Sequence, residues 1–472
     1  MRNTYIDLIQ QTYDFPQAGF DLKEAHLTFN GIDIKQLIQK YGTPFKLTYL
    51  PKISQQIQKM QQLFAQALEK YAYAGRYYFC YCTKCNHFYH VIEEALQQAI
   101  HLETSSAFDI DLIQQLYAKG HINKNIILLH NGYKTTAYLQ KINHLRQQGY
   151  YNSIIILDSP HELQRLAEAV DSDSSPIKIG LRMAANQDAQ SSYFTSRLGI
   201  PAKDIWPFFE QQIKHNPKVQ LKMLHFFIDS GIKDSLYYWQ EFQRAVELYV
   251  QLKKQSPNLN AFNIGGGFPI QNHLGFEYDY AYMVDEMVRR IQEVCTKENI
   301  PMPDLFTEFG KYTVGEAGAI IFEVLEQKRQ NDVEHWYIIN NSLMNTIPDA
   351  WSIHEKFILL PINKWQQPYQ RVHIGGISCD HADYYNSEDF NQEILLPSYS
   401  QHDQEPLYLG FFHTGAYQDA ISGYGGIKHC LIPSPKHIII TKDAEGKLVD
   451  TLYRAEQSVE DMFRILGYGG RP

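Results

Sequence analysis

Lys84 stands at the end of an apolar, aromatic run, Tyr77-Tyr-Phe-Cys-Tyr-Cys82. This is not the polar surface setting in which lysines are usually found, and an amine so placed is a nucleophile for carbonyl carbon. Other apolar runs also end in groups that can do chemistry. Glu103 lies near the end of His101–Thr104, and Arg182 sits in Lys178–Met183. His225, Asp229 and Ser230 close the run from Leu221, Gly265-Gly266-Gly267 closes the run from Ala261, and Glu308 and Gly310 close the run from Asp304. A triple glycine after a strand reads first as a turn, but its bare backbone also lets N–H groups approach a phosphate closely. Glu103 and Arg182 read either as supports of a site or as a structural ion pair. Cys80, Cys82 and Cys85, with His87 and His90 beyond, read either as zinc ligands or as small apolar residues of a buried strand. The second fits better, because no further Cys/His pair follows at finger-like spacing.

The elements that must hold these groups alternate. Strand-like runs begin at Tyr77, His101, Asn125, Ser153, Lys178, Leu221, Ala261 and Asp304. Helical periods fill the gaps: His90-Val91, Ala95-Leu96 and Ile100 share one face, as do Phe242, Ala245-Val246 and Tyr249-Val250. Eight alternating units imply a parallel (β/α)8 TIM barrel, with a six-stranded open sheet as the competing arrangement. In a barrel the C-terminal strand ends build the active site, and the loops after the seventh and eighth strands commonly hold phosphate.

After Ala317 the pattern is strand-rich: Ala319–Leu325, Trp336–Asn340, Phe357–Pro361, Arg371–Ile377, Leu407–His413, Cys430–Pro433 and His437–Thr441. This predicts a separate C-terminal antiparallel β domain. The expected organisation is an N-terminal segment over 1–40, packing through His26–Phe29 with that domain, a barrel over 41–317, and the β domain over 318–472.

Composition narrows the class. The chain has 472 residues, is 44% hydrophobic and carries 43 basic against 52 acidic residues. The net charge of −9 points away from nucleic acid and anionic membranes. Apolar runs are too short to span a bilayer and the first residues lack the build of a signal peptide, so a soluble cytoplasmic enzyme is expected.

A lysine at a strand end, a phosphate cradle and a strand-end carboxylate together suggest pyridoxal phosphate held as a Schiff base. At this point the chain resembles the fold-type III pyridoxal-phosphate decarboxylases of basic amino acids, and most closely their arginine branch. Tyr81-Cys-Thr-Lys84-Cys-Asn86 is similar to the family's Schiff-base motif, Phe262-Asn-Ile-Gly-Gly-Gly267 to its phosphate-binding run, and Thr307-Glu308-Phe-Gly310-Lys311-Tyr312 to its Glu-Pro-Gly-Arg segment. Cys379-Asp380 resembles the pair that enters the active site from a partner subunit. Asn131-Gly-Tyr-Lys134 and Gly415-Ala-Tyr417-Gln418-Asp419 resemble the arginine branch. Arginine decarboxylases usually carry an extra helical insert for which this chain lacks room.

Three positions depart from the family pattern. Phe227 occupies the place of the histidine that stacks on the cofactor ring, leaving His225 as the first, structural histidine. Asp229 replaces a glycine beside the phosphate, and Lys311 replaces an arginine, giving a point charge in place of a fork.

The resemblance implies a set of roles. Lys84 carries the cofactor, and Glu308 keeps the pyridine nitrogen protonated. Ser230, Gly265, Gly266, Gly267, Gly310, Lys311 and Tyr417 surround the cofactor with Phe227. Cys379 returns a proton to Cα, and Asp380 holds the distal cation of the substrate. Glu103, Arg182 and His225 support these groups. The implied reaction is arginine to agmatine and CO2, opening a polyamine pathway, in a homodimer or larger assembly with shared sites. Ornithine, lysine and diaminopimelate are the competing substrates. A racemase on the same barrel would pair the ring nitrogen with arginine instead of Glu308, and a non-catalytic homologue would tend to lose Lys84 or Cys379. A divalent metal is compatible with this scheme and is not readable from the sequence.

Overall fold

The computed structural model describes residues 3–169, 176–185, 197–228, 231–232, 234–387, 394–400 and 402–468. It divides into two compact units. One comprises Ile53–Pro269 and Tyr278–Thr313; the other comprises Met1–Lys52, Ile270–Glu277 and Val314–Pro472.

The first unit is the barrel. Its strands are β1 (Tyr77–Cys82), β2 (His101–Thr104), β3 (Leu128–His130), β4 (Ser153–Leu157), β5 (Ile177–Ala184), β6 (Val219–Phe226), β7 (Ala261–Asn263) and β8 (Asp304–Glu308). Each pairs in parallel with the next, and β8 returns to β1 through Leu305 opposite Tyr77 and Glu308 opposite Cys80, which closes the sheet. Strands of this kind are apolar along their whole length because both faces are covered. In β4, Ser-Ile-Ile-Ile-Leu is buried throughout. Cys80, Leu129, Ile154, Ile156, Met223, Ala261 and Phe306 form a core inside the barrel. The surrounding helices follow their periodicity: Ser235–Gln255 buries Tyr238, Trp239, Phe242, Ala245, Val246 and Tyr249, and Asp234 caps its first turn through Tyr237 N.

All eight strand positions read from the sequence are occupied by strands, several of them shorter than expected, and two of the early ends bear on the site. β6 ends at Phe226 instead of Asp229, so Phe227 lies on the loop beyond it. β7 ends at Asn263 because Gly265 takes a φ of +69°, which a ladder residue cannot adopt. The expected Asp229 and Ser230 fall outside the described residues.

The second unit is built on a predominantly antiparallel sheet centred on the long strand Gly318–Arg329. Two of its pairings run parallel: His335–Ile339 with Tyr369–Gly375, and Phe45–Tyr49 with Lys436–Lys442. Phe45–Tyr49 therefore belongs to this sheet. It is buried on both faces, inserted between Gly318–Arg329 and Lys436–Lys442. His26–Phe29 is a strand as expected. Its Leu27 and Phe29 share one core with Phe45, Leu47, Phe412 and Ile438. The expected strand Cys430–Pro433 is instead a tight turn, His429–Leu431, with Cys430 and Leu431 at φ of +56° and +52°. Consecutive left-handed residues cannot extend a ladder. The strand Leu448–Arg454, mostly exposed, carries no apolar alternation and escaped the sequence reading. Among the described residues no helix is long and apolar enough to cross a membrane.

Candidate active site

Lys84 sits on a single turn, Thr83–Cys85, directly after β1. The Tyr81 hydroxyl donates to Asn86 O at 2.8 Å and the Asn86 N–H donates to Thr83 O at 3.1 Å, so the two ends of the Tyr81–Asn86 motif staple the turn that presents the lysine. Buried Asp109 anchors the same turn from below. It accepts from Thr83 Oγ1 at 3.2 Å and from Ser105 N at 2.7 Å, and it lies 3.2 Å from His87 Nε2. Burial raises the Asp109 carboxyl, but the contacts from His87, Ser105 and Thr83 outweigh it and bring it below its ordinary value.

Lys84 Nζ lies 2.8 Å from Glu103 Oε1, with the lysine side chain 40% exposed and the glutamate wholly buried. Desolvation disfavours the ammonium, yet the Glu103 charge, aided by Glu308, holds Lys84 well above the usual lysine range. Burial pushes Glu103 up, the Lys84 charge opposes this, and the neighbouring Glu308 charge adds to it. Glu103 thus contacts the lysine itself. Arg182 instead faces Asp158, at 3.8 Å, and its guanidinium lies 5.5 Å from the Phe227 ring centre.

Glu308 is the most heavily supported group. Asn263 Nδ2 donates to Oε1 at 2.6 Å, Asn131 Nδ2 donates to Oε2 at 2.9 Å, and His225 Nε2 lies 3.4 Å from Oε2. Hydrogen bonds to a charged group contribute about 1.5–3 kcal/mol each. Burial alone would raise this carboxyl, but His225, Lys84 and Asn131 outweigh it and hold it well below the usual carboxylate range. It is a buried carboxylate kept charged.

The glycine run leaves β7 under tight constraint. A Cβ on Gly265 would stand 2.5 Å from Phe226 O and 2.9 Å from Phe227 Cδ2. One on Gly266 would stand 2.3 Å from Glu308 O, so only bare backbone lets this loop lie against the end of β8. Gly267 approaches Gly231 in the same loop cluster, and Gly310 packs on Cys85. Lys311 opens the short helix Lys311–Val314 after β8. Cys80, Cys82 and Cys85 are buried: Cys80 belongs to the barrel core and Cys82 Sγ donates to Glu308 O at 3.2 Å.

Lys134 of the Asn131–Lys134 segment is completely buried. Its Nζ donates to Gly132 O at 2.7 Å and to Ile156 O, and lies 3.4 Å from Glu162 Oε2. Burial, partly offset by Glu162, lowers it from the usual lysine value. This lysine joins the ends of β3 and β4 and so frames Asn131.

Cys379, Asp380 and Tyr417 belong to the other unit. Cys379 is exposed and Asp380 partly so. Buried Asp383 fixes their loop, accepting from Ser378 N at 3.1 Å through Oδ2 while Oδ1 accepts from Leu343 N at 2.8 Å. Tyr417 holds a φ of +67° just before the helix Gln418–Ser422. A non-glycine residue in that region stores strain, a common mark of functional positions.

Sequence reasoning did not single out Asp109, Asn263 or Asp383 as supports. A signal existed for Asn263, a polar residue closing an apolar strand immediately ahead of a triple glycine. Asp109 reads only as a helix cap beside Ser106.

The residues present on the barrel fit pyridoxal phosphate: an amine at the open strand ends, a buried carboxylate held ionised, and a glycine loop that a Cβ would fill. Fold and site define a fold-type III pyridoxal-phosphate enzyme. The chain belongs to the pyridoxal-dependent decarboxylases, whose pyridoxal binding domain matches residues 52–315. It is 21% identical to the biosynthetic arginine decarboxylase of Prochlorococcus marinus (strain MIT 9215), over 93% of this chain and 85% of that one. The crystal structure of the biosynthetic arginine decarboxylase from Campylobacter jejuni superposes with a TM-score of 0.81 at 19% identity, covering 99% of this chain and 91% of that chain. Diaminopimelate decarboxylase from Helicobacter pylori, complexed with L-lysine, superposes with a TM-score of 0.74 at 18% identity, covering 93% and 100%.

Proposed function

We propose that this protein removes CO2 from L-arginine to give agmatine, supplying a polyamine pathway. The observation that carries the decarboxylase reading is the charged, buried Glu308 beside the Lys84–Glu103 pair. The arginine preference is supported by the names of the curated relatives and by the Asn131–Lys134 and Gly415–Asp419 segments.

Bound pyridoxal phosphate supplies an electron-accepting ring in conjugation with the substrate Cα. Lys84 Nζ would hold it covalently, and Glu103 Oε1, 2.8 Å from that nitrogen, would stabilise a proton there. Glu308, a buried carboxylate held charged, would keep a proton on the ring nitrogen and so favour the ring as an electron acceptor. Phe227 would lie against the ring, and Gly265–Gly267, Ser230, Lys311 and Tyr417 would hold the phosphate. Cys379 returns the proton to Cα, and Asp380 pairs with the distal guanidinium through two parallel hydrogen bonds. CO2 release from arginine, ornithine, lysine and diaminopimelate, measured side by side, tests this reading. Preference for any of the last three overturns the arginine assignment.

Asp380→Ala should raise the arginine KM strongly and leave kcat at saturation much less affected. Losing the partner of a desolvated charge costs about 2–5 kcal/mol, a rise of roughly 30-fold or more. Equal, weak effects on arginine, ornithine and lysine would remove Asp380 as the residue that reads the distal charge.

In this proposal two subunits share each site, with Cys379 and Asp380 reaching the barrel of the partner. Lys84→Ala and Cys379→Ala proteins, each nearly inactive, are then expected to complement when their subunits exchange. Random pairing makes half the dimers mixed, and each mixed dimer has one intact site, so activity recovers to about a quarter of wild type. No recovery after exchange confirmed by tagged subunits would place the whole site in one chain.

A further inference from the structure

Cys379 has neighbours that decarboxylation does not use. Its Sγ lies 3.2 Å from Cys430 Sγ and 3.9 Å from His429 Nε2, and the three ligand atoms fall within 4.8 Å of one another, all on exposed residues. Metal–sulfur bonds of about 2.3 Å and metal–nitrogen bonds of about 2.0–2.1 Å put the ligands of one tetrahedral ion roughly 3.5–3.8 Å apart. The observed spacings bracket that range. Two thiols and an imidazole are the donors a borderline-soft cation selects.

The arrangement is built into the backbone. His429 and Cys430 lie on the left-handed turn, which is locked by one side chain: Asn345 Oδ1 accepts from His429 N at 3.3 Å and Asn345 Nδ2 donates to His429 O at 3.0 Å. Buried Lys428 adds a bond from Nζ to Asn345 O at 2.9 Å. Across from this turn, Asp383 pins the loop of Cys379, whose N–H donates to Cys430 Sγ at 3.4 Å. Side-chain hydrogen bonds hold both halves, and Cys430 and Leu431 both stand at positive φ in the turn.

We infer that Cys379, His429 and Cys430 form a three-ligand site for a zinc-class divalent cation, with the fourth position left to water. Binding releases one proton from each thiol, and the cation then occupies the Cys379 sulfur. The ion is an inhibitor that removes the proton donor from use. That consequence rests on the role proposed for Cys379, whereas the site itself does not.

The test uses the reduced holoenzyme and Zn2+ alone. Cys379 and Cys430 are the two exposed cysteines, the other four being buried, so a thiol reagent reads this site selectively in the native protein. Equilibrium dialysis should give one zinc per chain, with both reactive thiols protected. Cys430→Ser and His429→Ala should each weaken zinc at least tenfold while keeping the visible absorbance of the bound cofactor and basal turnover. Zinc that inhibits wild type should then spare both variants. Zinc bound through these residues without inhibition keeps the site and removes Cys379 from catalysis. Equal zinc affinity in wild type and both variants, or no zinc binding, overturns the site. Recovery of a Cys379–Cys430 disulfide after peroxide treatment, in protein that fails to bind zinc, assigns the pair to redox chemistry instead and overturns it too.

Discussion

Lys84→Ala protein is expected to lose the visible absorbance of lysine-bound cofactor and to lose turnover by orders of magnitude. The amine is the one on the barrel placed at the open end of β1, on a turn stapled by Tyr81, Asn86 and Asp109. Removing it also leaves Glu103 buried without its positive partner at 2.8 Å. Glu103 is already raised by burial, and the Lys84 charge is what opposes that rise. In the variant it should climb further. A carboxyl whose value in the fold lies above its unfolded value causes no loss where both states are protonated. The loss develops as pH rises from the unfolded value toward the folded one. The variant should therefore be closest to wild-type stability in mild acid and fall behind it toward neutral pH. Two measurements check this: borohydride fixation of cofactor to protein, and Tm compared between wild type and variant across pH 4–8. Fixation of cofactor in the variant would assign the covalent role to another lysine. A stability difference that does not change with pH would mean that Glu103 is not left uncompensated.

The barrel was legible because its strands are buried on both faces. Tyr77–Cys82 and Ile154–Leu157 stand out as unbroken apolar runs, and the groups that end them stand out in turn. The partners of those groups were not legible, since hydrogen bonds across the barrel end join residues far apart in the chain. Asn131 and Glu308 are 177 positions apart, and nothing local to either names the other. The second unit was read less completely for a related reason. Phe45–Tyr49 precedes the barrel in sequence yet pairs with Gly318–Ile321 and Lys436–Ile440, so adjacency in the chain misassigns it. The segment Cys430–Pro433 reads as strand because Cys430, Leu431 and Ile432 are apolar, but its left-handed turn is held at His429 by Asn345, a residue 84 positions away. The departure at Phe227 becomes intelligible beside Arg182. An aromatic ring in place of an imidazole gives the guanidinium a π face at 5.5 Å, while the charge of Arg182 is met by Asp158.

Glu308→Gln should lower the turnover number by about two orders of magnitude or more while changing the substrate KM little. The amide has nearly the shape of the carboxylate, so the loop after β8 and the bare backbone of Gly266 against Glu308 O are expected to stay in place. What changes is charge and hydrogen-bond sense. Asn131 and Asn263 both donate to this side chain, and a glutamine can accept from one of them through its oxygen while its own NH2 faces the other donor. A proton on the ring nitrogen would then face a neutral group, and each unit its pKa falls weakens the electron sink by about 1.4 kcal/mol. The loss falls on the charge that develops as CO2 leaves Cα, not on recognition of the amino acid, which is why kcat takes the effect. The carboxyl of Glu308 lies well below its unfolded value, so it adds stability above the unfolded range and that contribution is lost as pH falls toward the folded value. The glutamine variant should accordingly show a shallower loss of Tm on acidification than wild type. Glu308→Asp keeps the charge on a shorter arm and is expected to retain more activity than the glutamine variant. If glutamine and aspartate variants lose turnover equally, the length of the side chain matters and its charge does not, and the electron-sink role is overturned.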